Sequence, residues 1–393
     1  MDNFQFYSPT EFLFGRDTER QTGAYVKKHG GSKVLLHYGG GSVIRSGLLD
    51  TVKASLTENG IPFTELGGVK PNPRDTLVYE GIRLARSEGV DFILAVGGGS
   101  TIDSSKAIAM GVPYDGDFWD FYCGKAVPAA ALPVGTVLTI AAAGSEGSGD
   151  SVITKESEGL KRGAGTDLIR PRFSVMDPAL TCTLPPYQTA CGATDIMAHV
   201  FERYFTNTTE VGITDRLCEA VLKTMIAETP RVIAQPDNYD ARANIMWAGT
   251  VAHTNIVGVG REQDWNSHGI EHELSALYDC AHGAGLAVIM PAWMEFVYRH
   301  DVMRFAQAAV RVWGCEMDFA DPEKTAREGI RRFRQFLHDI GMPINFAELG
   351  AKEADIPKLV DRFGIGRGRT GGFVALSAED IAEIYRIAAR AAL

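Results

Sequence analysis

Asp195-Ile-Met-Ala-His199 sets a carboxylate and an imidazole four residues apart. In a helix that spacing places both on one face, where they can grip one cation together. Taken alone, such a pair is commonly a surface or capping pair. The chain adds Trp265-Asn-Ser-His268-Gly-Ile-Glu-His272 and Ala281-His282-Gly283, so that four of its nine histidines fall in these three segments. His268 and His272 are also one helical turn apart, and either could be a ligand while the other works on a substrate nearby. Oxygen and nitrogen donors without thiolate suit Fe(II), Zn(II), Ni(II) or Co(II) and disfavour a structural cysteine-zinc site. A single ion with a free coordination position would act as a Lewis acid, polarising a carbonyl or lowering the pKa of an alcohol. The bland alternative is a set of core histidines satisfied by backbone groups.

Two glycine runs form a second chemical signal. Gly97-Gly98-Gly99-Ser100-Thr101 follows the apolar run Phe92-Ile93-Leu94-Ala95-Val96, and Gly39-Gly40-Gly41-Ser42 follows Val34-Leu35-Leu36-His37-Tyr38. A glycine run that ends a strand and opens a helix lets backbone N–H groups close on a phosphate, which the helix dipole then favours. The second run fits a pyrophosphate, although it is not the GxGxxG fingerprint. The first lies where many dinucleotide sites place an acidic side chain on the adenosine ribose, yet it carries no Asp or Glu. Small residues and a hydroxyl there lean toward NADP(H) over NAD(H). Tight turns after buried strands are the competing explanation for both runs.

The elements that must position these groups can be read from periodicity. In the first half short apolar runs alternate with helical pattern, from about Gly47 to Glu58 and from about Asp75 to Ser87, with a short strand around Phe63 between them. That is βαβαβ logic, a parallel sheet whose ligands gather at the carboxyl ends of the strands. Beyond Pro185-Pro186 the strand signals fade and apolar residues recur at helical spacing, as in Leu217, Ala220, Val221, Thr224 and Met225. We therefore expect an α/β nucleotide-binding domain over 1–185 and an all-helical domain over 186–393, because a double proline ends a ladder but can open a helix. The run GIGRGRTGG, from Gly364 to Gly372, reads as a flexible basic loop with no specific role.

Bulk composition narrows the partners. A net charge of -10 opposes phosphate-tracking binding of nucleic acid. The amino terminus lacks a basic head followed by an apolar core, and nowhere do roughly 18 apolar residues run together, so a cytoplasmic protein without a membrane partner is expected. Six scattered cysteines, with no CxxC pair, read as reduced and mostly buried.

Together these residues resemble the iron-containing (group III) alcohol dehydrogenases, especially their NADPH-dependent butanol dehydrogenase branch. The resemblance runs over nearly the whole chain: Phe4-Gln-Phe-Tyr-Ser-Pro-Thr, Gly97 through Asp103-Ser-Ser-Lys106, Leu138-Thr139-Ile through Gly144-Ser145-Glu146, Asp177-Pro178, Gly192 through His199, and the His268 and His282 segments. It implies a dehydroquinate synthase-like architecture, an α/β domain with a parallel sheet followed by an all-α domain. It implies Asp195, His199, His268 and His282 as ligands of one Fe(II) or Zn(II), with His272 as proton carrier beside the nicotinamide. It also implies Gly40 and Ser42 at the adenosine 2′-phosphate of NADP(H), Asn72 on the adenosine side, and Gly98, Gly99 and Ser100 at the pyrophosphate. Asp103, also expected to serve catalysis, completes the nucleotide cleft with Thr139 and Lys161. The implied reaction is hydride transfer between NADP(H) and short to medium chain alcohols or aldehydes such as butanol and butanal, by a homodimer or larger homo-oligomer.

One departure is Ser148, standing where this branch commonly carries Asn, which removes the expectation of a cofactor contact there. Trp247, Trp265, Ile256 and Val257 are candidates for apolar pocket walls. Two readings from other classes compete. A non-redox lyase or cyclase of the dehydroquinate synthase type would need several cations near the metal, where Arg261 is the main one. A non-catalytic metal-binding assembly subunit would not need both the ligands and the glycine loops intact.

Overall fold

The computed structural model describes residues 1–393. Its first elements are β1 (Glu11–Phe14), α1 (Thr22–Lys28), β2 (Val34–Gly39), α2 (Gly41–Arg45), α3 (Leu48–Glu58), β3 (Phe63–Val69), α4 (Asp75–Glu88), β4 (Phe92–Gly97), α5 (Gly99–Gly111) and α6 (Trp119–Tyr122). β5 (Val134–Leu138), β6 (Asp150–Lys155), β7 (Leu160–Gly165) and β8 (Phe173–Met176) follow. The two helices anticipated in this half end within one residue of the expected positions.

Six strands pair in parallel in the order β1-β8-β5-β4-β2-β3, while β6 and β7 form a separate antiparallel hairpin. Both faces of the sheet are covered, which is why its strands read as continuous apolar runs. Leu35, Ile93 and Val134 pack with Val78 and Ile82 of α4, Ile108 of α5 and Phe118 before α6. Val34, Leu36, Phe92 and Leu94 face the other way, toward Val26 of α1 and Val52 and Leu56 of α3. The chain leaves β2 for β3 on one side and returns to β4 on the other, so the strand order reverses between β2 and β4. Crevices at such reversals are where open α/β sheets take ligands.

The second half is helical: α7 (Pro186–Tyr204), α8 (Gly212–Ala234), α9 (Tyr239–His253), α10 (Asn266–Tyr278), α11 (His282–Val297), α12 (Val302–Arg311) and α13 (Pro322–Asp339). The short α14 (Phe346–Leu349) and α15 (Ile356–Phe363) precede α16 (Ala378–Arg390). α11 is buried without interruption from Gly283 to Met294 and packs on α7, α10, α13 and α16. A helix apolar on every side belongs at the centre of its bundle.

Tyr7–Leu184 with Asp237–Thr250 make one compact unit, and Met1–Phe6, Pro185–Pro236 and Val251–Leu393 make the other. The main division falls beside Pro185-Pro186, but a single boundary at 185 does not describe it. Most of α9 belongs to the α/β unit, where Met246 packs with Leu138 and Met176 and the Thr250 hydroxyl donates to Glu146 Oε1 at 2.5 Å. The first residues belong to the helical unit, where Asp2 N–H donates to Gly260 O at 2.9 Å. The Gly364–Gly372 run also has a structural task. Gly371, at φ +111°, lies so close to the start of α10 that a Cβ would stand 2.0 Å from Asn266 Nδ2. No helix is long and apolar enough to cross a membrane, and all six cysteines are free thiols.

Candidate functional site

In the helical unit α7 presents Asp195, His199 and Glu202 at i, i+4 and i+7, all on one buried face. α10 contributes His268, and His282 opens α11. Asp195 Oδ1 is the hub. It lies 3.5 Å from His199 Nε2, 3.6 Å from His268 Nε2 and 3.8 Å from His282 Nε2. Ligand atoms bound tetrahedrally at about 2.0–2.2 Å from one ion are separated by roughly 3.4 Å, so this spacing suits a small divalent cation. Ligand atoms of Asp195, His268 and His282 all fall within 4.8 Å of one another, whereas His199 meets Asp195 but stands outside that mutual group. Asp195 Oδ1 and His268 Nε2 are buried with no hydrogen-bond partner. Leaving such atoms unpaired is costly, and a cation between them removes the cost.

Close backbone approach makes the convergence possible. A Cβ on Gly283 would lie 2.0 Å from Cys191 O, so only glycine lets the first turn of α11 come this near α7. The electrostatics agree with a cation site. Burial works to raise the Asp195 pKa, but His282 and His268 hold it below the ordinary value, and the group is ionised. Burial, then His253 and His268, push His199 well below its usual range, keeping its lone pair available. Burial opposes a charge on His268, yet the Glu202 and Asp195 carboxylates raise it to about 10. The site thus attracts positive charge at the point where three imidazoles and a carboxylate meet.

In the α/β unit the expected nucleotide residues share one edge of the sheet. Gly40 and Ser42 follow β2, Asn72 follows β3, Gly98, Gly99 and Ser100 follow β4, and Thr139 follows β5. All four strands are parallel, so these are carboxyl ends. The two glycine runs are neighbours, since a Cβ on Gly39 would stand 3.5 Å from Thr101 Oγ1. Gly99 faces open space, and Gly98 caps α5 without a side chain, which leaves first-turn N–H groups for an anion. Lys161 Nζ donates to Asn72 Oδ1 at 3.1 Å, joining the β6–β7 hairpin to the loop after β3.

Residues 9–178 match the model of the family described as iron-containing alcohol dehydrogenase, and 189–389 match the carboxyl-terminal model of the Fe-containing alcohol dehydrogenase family. The chain belongs to the iron-containing alcohol dehydrogenase family. It is 40% identical to NADH-dependent butanol dehydrogenase A of Clostridium acetobutylicum, across 98% of this chain and 99% of the relative. It is 36% identical to an NADPH-dependent aldehyde reductase of Escherichia coli, across 92% and 93%. The crystal structure of NADH-dependent butanol dehydrogenase A from Thermotoga maritima superposes with a TM-score of 0.96 at 40% identity, covering 99% of each chain. This iron-containing alcohol dehydrogenase is therefore an oxidoreductase of the alcohol dehydrogenase and aldehyde reductase type, with the family's nicotinamide cofactor and metal. The lyase or cyclase alternative is not favoured.

The alcohol dehydrogenase also carries site residues that the spacing did not reveal. Three partners hold the outer nitrogens of the histidines. His268 Nδ1 meets the Glu202 carboxylate, His282 Nδ1 meets Glu271, and His199 Nδ1 lies 3.0 Å from His253 Nδ1. Glu202 could have been found as the i+7 continuation of the Asp195/His199 face. Glu271 and His253 had no such signal. His272 stands outside the Asp195 set, its ring 6.4 Å from His268 and 5.5 Å from His282.

Of the proposed pocket walls Trp265 adjoins the Asp195 cluster, 5.5 Å from both His199 and His268 rings, with the Arg203 guanidinium 4.6 Å from its ring centroid. Trp247 instead packs on Phe12 and Phe14 in the α/β unit, and Val257 is wholly buried. Arg261, the main cation noted near the histidine segments, is paired with Asp215 at 2.8 Å and the Arg203 carbonyl at 2.9 Å, which further disfavours the lyase or cyclase reading. Asp103 is used within its own unit. Its Oδ1 accepts from Ser145 Oγ at 2.6 Å and its Oδ2 from Val152 N at 3.0 Å. Beside it the buried Lys106 donates to Ser145 O, Ser145 Oγ, Ser148 Oγ and Asp150 O at 2.7–3.2 Å. Ser148 is thus an acceptor for Lys106.

Proposed function

We propose that this enzyme reduces short to medium chain aldehydes such as butanal, and oxidises the corresponding alcohols, with NADP(H), using one Fe(II) or Zn(II) held by Asp195, His199, His268 and His282. The observation that carries the reading is the convergence of three imidazole Nε2 atoms on one ionised carboxylate oxygen. When bound, a divalent ion supplies Lewis acidity that polarises a carbonyl or makes an alcohol easier to ionise. Asp195 supplies the ligand charge, and the imidazoles would donate through Nε2, His268 after giving up the proton that Glu202 and Asp195 stabilise on it. Gly98, Gly99 and Ser100 hold the pyrophosphate with backbone N–H groups, Thr139 borders it, and Asn72 and Lys161 bind as a pair on the adenosine side. Asp103 acts through the Ser145 loop that it fixes. His272 carries the proton that balances hydride transfer, giving it to the substrate oxygen on reduction and taking it back on oxidation.

The coenzyme preference rests on Tyr38–Ser42, which has no carboxylate to repel a 2′-phosphate. Ser42 is exposed there, and the Arg45 guanidinium lies against Gly41, where a Cβ would stand 2.3 Å from Nη1. NAD(H) is the competing outcome, as the name of the Clostridium acetobutylicum relative suggests. Steady-state assays with butanal over both reduced nucleotides decide. A higher kcat/KM with NADPH is expected, a higher value with NADH reverses the preference, and no turnover with either by metal-loaded protein sinks the reading.

A further inference from the structure

We propose that Glu202 and Glu271 are positioning residues that fix two of the histidines for metal binding, and that Gly285 keeps Glu271 in place by leaving it room. The inference rests on the reading that Asp195, His199, His268 and His282 hold the ion.

An imidazole can offer Nε2 to a cation only while its ring is held in the right orientation, and a hydrogen bond at Nδ1 fixes both the ring and its tautomer. Glu202 is placed to do this by an ion-pair contact with Nδ1. It is 1% exposed, and one of its oxygens accepts from Ser267 Oγ at 2.5 Å and from His268 N at 3.0 Å, which leaves the second oxygen on His268 Nδ1. Glu271 repeats the arrangement from α10. It is wholly buried, Oε1 accepts from Ser275 Oγ, and Oε2 meets His282 Nδ1. Two serine hydroxyls thus anchor two carboxylates, and each carboxylate anchors one histidine.

Burying a carboxylate is costly unless charge and hydrogen bonds offset it. With Asp195 the site gathers three buried carboxylates around three imidazoles, an imbalance that a divalent cation offsets. A carboxylate on Nδ1 also makes Nε2 a better donor to metal.

Gly285 supplies an independent observation. It lies three residues into α11 from His282, and a Cβ there would stand 2.4 Å from Glu271 Oε1 and 2.8 Å from its Cγ. Alanine suits a helix better than glycine, so helix formation alone does not explain the glycine. Room for Glu271 does.

The test follows release of Zn(II) from the full-length, metal-loaded protein to excess chelator, for wild type, Glu202→Gln, Glu271→Gln and Gly285→Ala. Each variant is expected to bind Zn(II) roughly 10- to 100-fold more weakly and to release it faster, with unchanged far-UV circular dichroism. The Co(II)-loaded forms are expected to show altered visible absorption, which a loss of stability alone does not produce. If either glutamine variant fails to fold, Gly285→Ala decides, because it alters neither a ligand nor a carboxylate. Wild-type release and wild-type Co(II) spectra in the folded variants overturn the proposal. A wild type that takes up no Zn(II) overturns instead the ligand reading beneath it.

Discussion

His268 and His272 occupy successive turns of α10, and their substitution is expected to separate two functions. His268 faces Asp195 Oδ1 at 3.6 Å, so His268→Ala removes a ligand and bound metal falls. His272 lies outside that set, so His272→Ala keeps its metal while kcat drops by about 10²–10⁴, the usual worth of a general acid-base group. Metal content and turnover measured on the same preparations check this, and equal metal loss in both variants contradicts it. At the other site, Arg45→Ala is expected to raise KM for NADPH by roughly tenfold and leave that for NADH unchanged, as loss of a charged hydrogen bond to a phosphate requires. Equal effects on both nucleotides would remove Arg45 from the 2′-phosphate. The Asp195/His199 pair was legible because of its company, with three further histidines in the His268–His272 and His282 segments. Glu271 was not, because a glutamate on a helix is ordinarily a solvated residue and nothing in the sequence marks it as buried, and Glu202 was marked only by its i+7 place on the Asp195/His199 face.

Between elements, the decisive approach is that of α11 to α7. Gly283→Ala would drive a Cβ against Cys191 O, a backbone atom with little freedom to yield. Overpacking of this kind costs about 1–3 kcal/mol. The expected result is a lower thermal midpoint together with loss of metal, since His282 moves away from Asp195. A variant that keeps both would show that the approach is slack. The parallel strands were readable because both faces of the sheet are covered, which turns β2 and β4 into uninterrupted apolar runs ended by glycine. The β6–β7 hairpin was less readable, with Lys161, Arg162 and two glycines among the residues from Lys161 to Gly165. The assignment of α9 was hidden for a different reason. Met246 looks like any core methionine, and its periodicity does not say which core it joins.

For the whole molecule, acid stability has a definite sign at Asp215. Burial works against its charge, but Arg304 and Arg261 hold its carboxyl below the ordinary value. A carboxyl depressed on folding contributes stability in full above the unfolded pKa of about 3.9, and loses it as pH falls through the folded value. Asp215→Asn is expected to cost about 3–5 kcal/mol at neutral pH, because Arg261 and Arg304 stay buried without their partner. The gap between variant and wild type should close below about pH 4, and denaturation midpoints across that range test it. A gap that is constant with pH would mean that Asp215 contributes by shape alone. The two-unit architecture itself was legible from the change of periodicity at Pro185-Pro186, whereas the exchanged segments at Met1–Phe6 and Asp237–Thr250 required three-dimensional packing to emerge. The most direct measurement is the metal content per chain of anaerobically prepared protein, compared with Asp195→Ala. One equivalent of Fe(II) or Zn(II) in the wild type and almost none in the variant is the predicted result. A full equivalent retained by Asp195→Ala, or none in the wild type after loading, would contradict the metal centre described above.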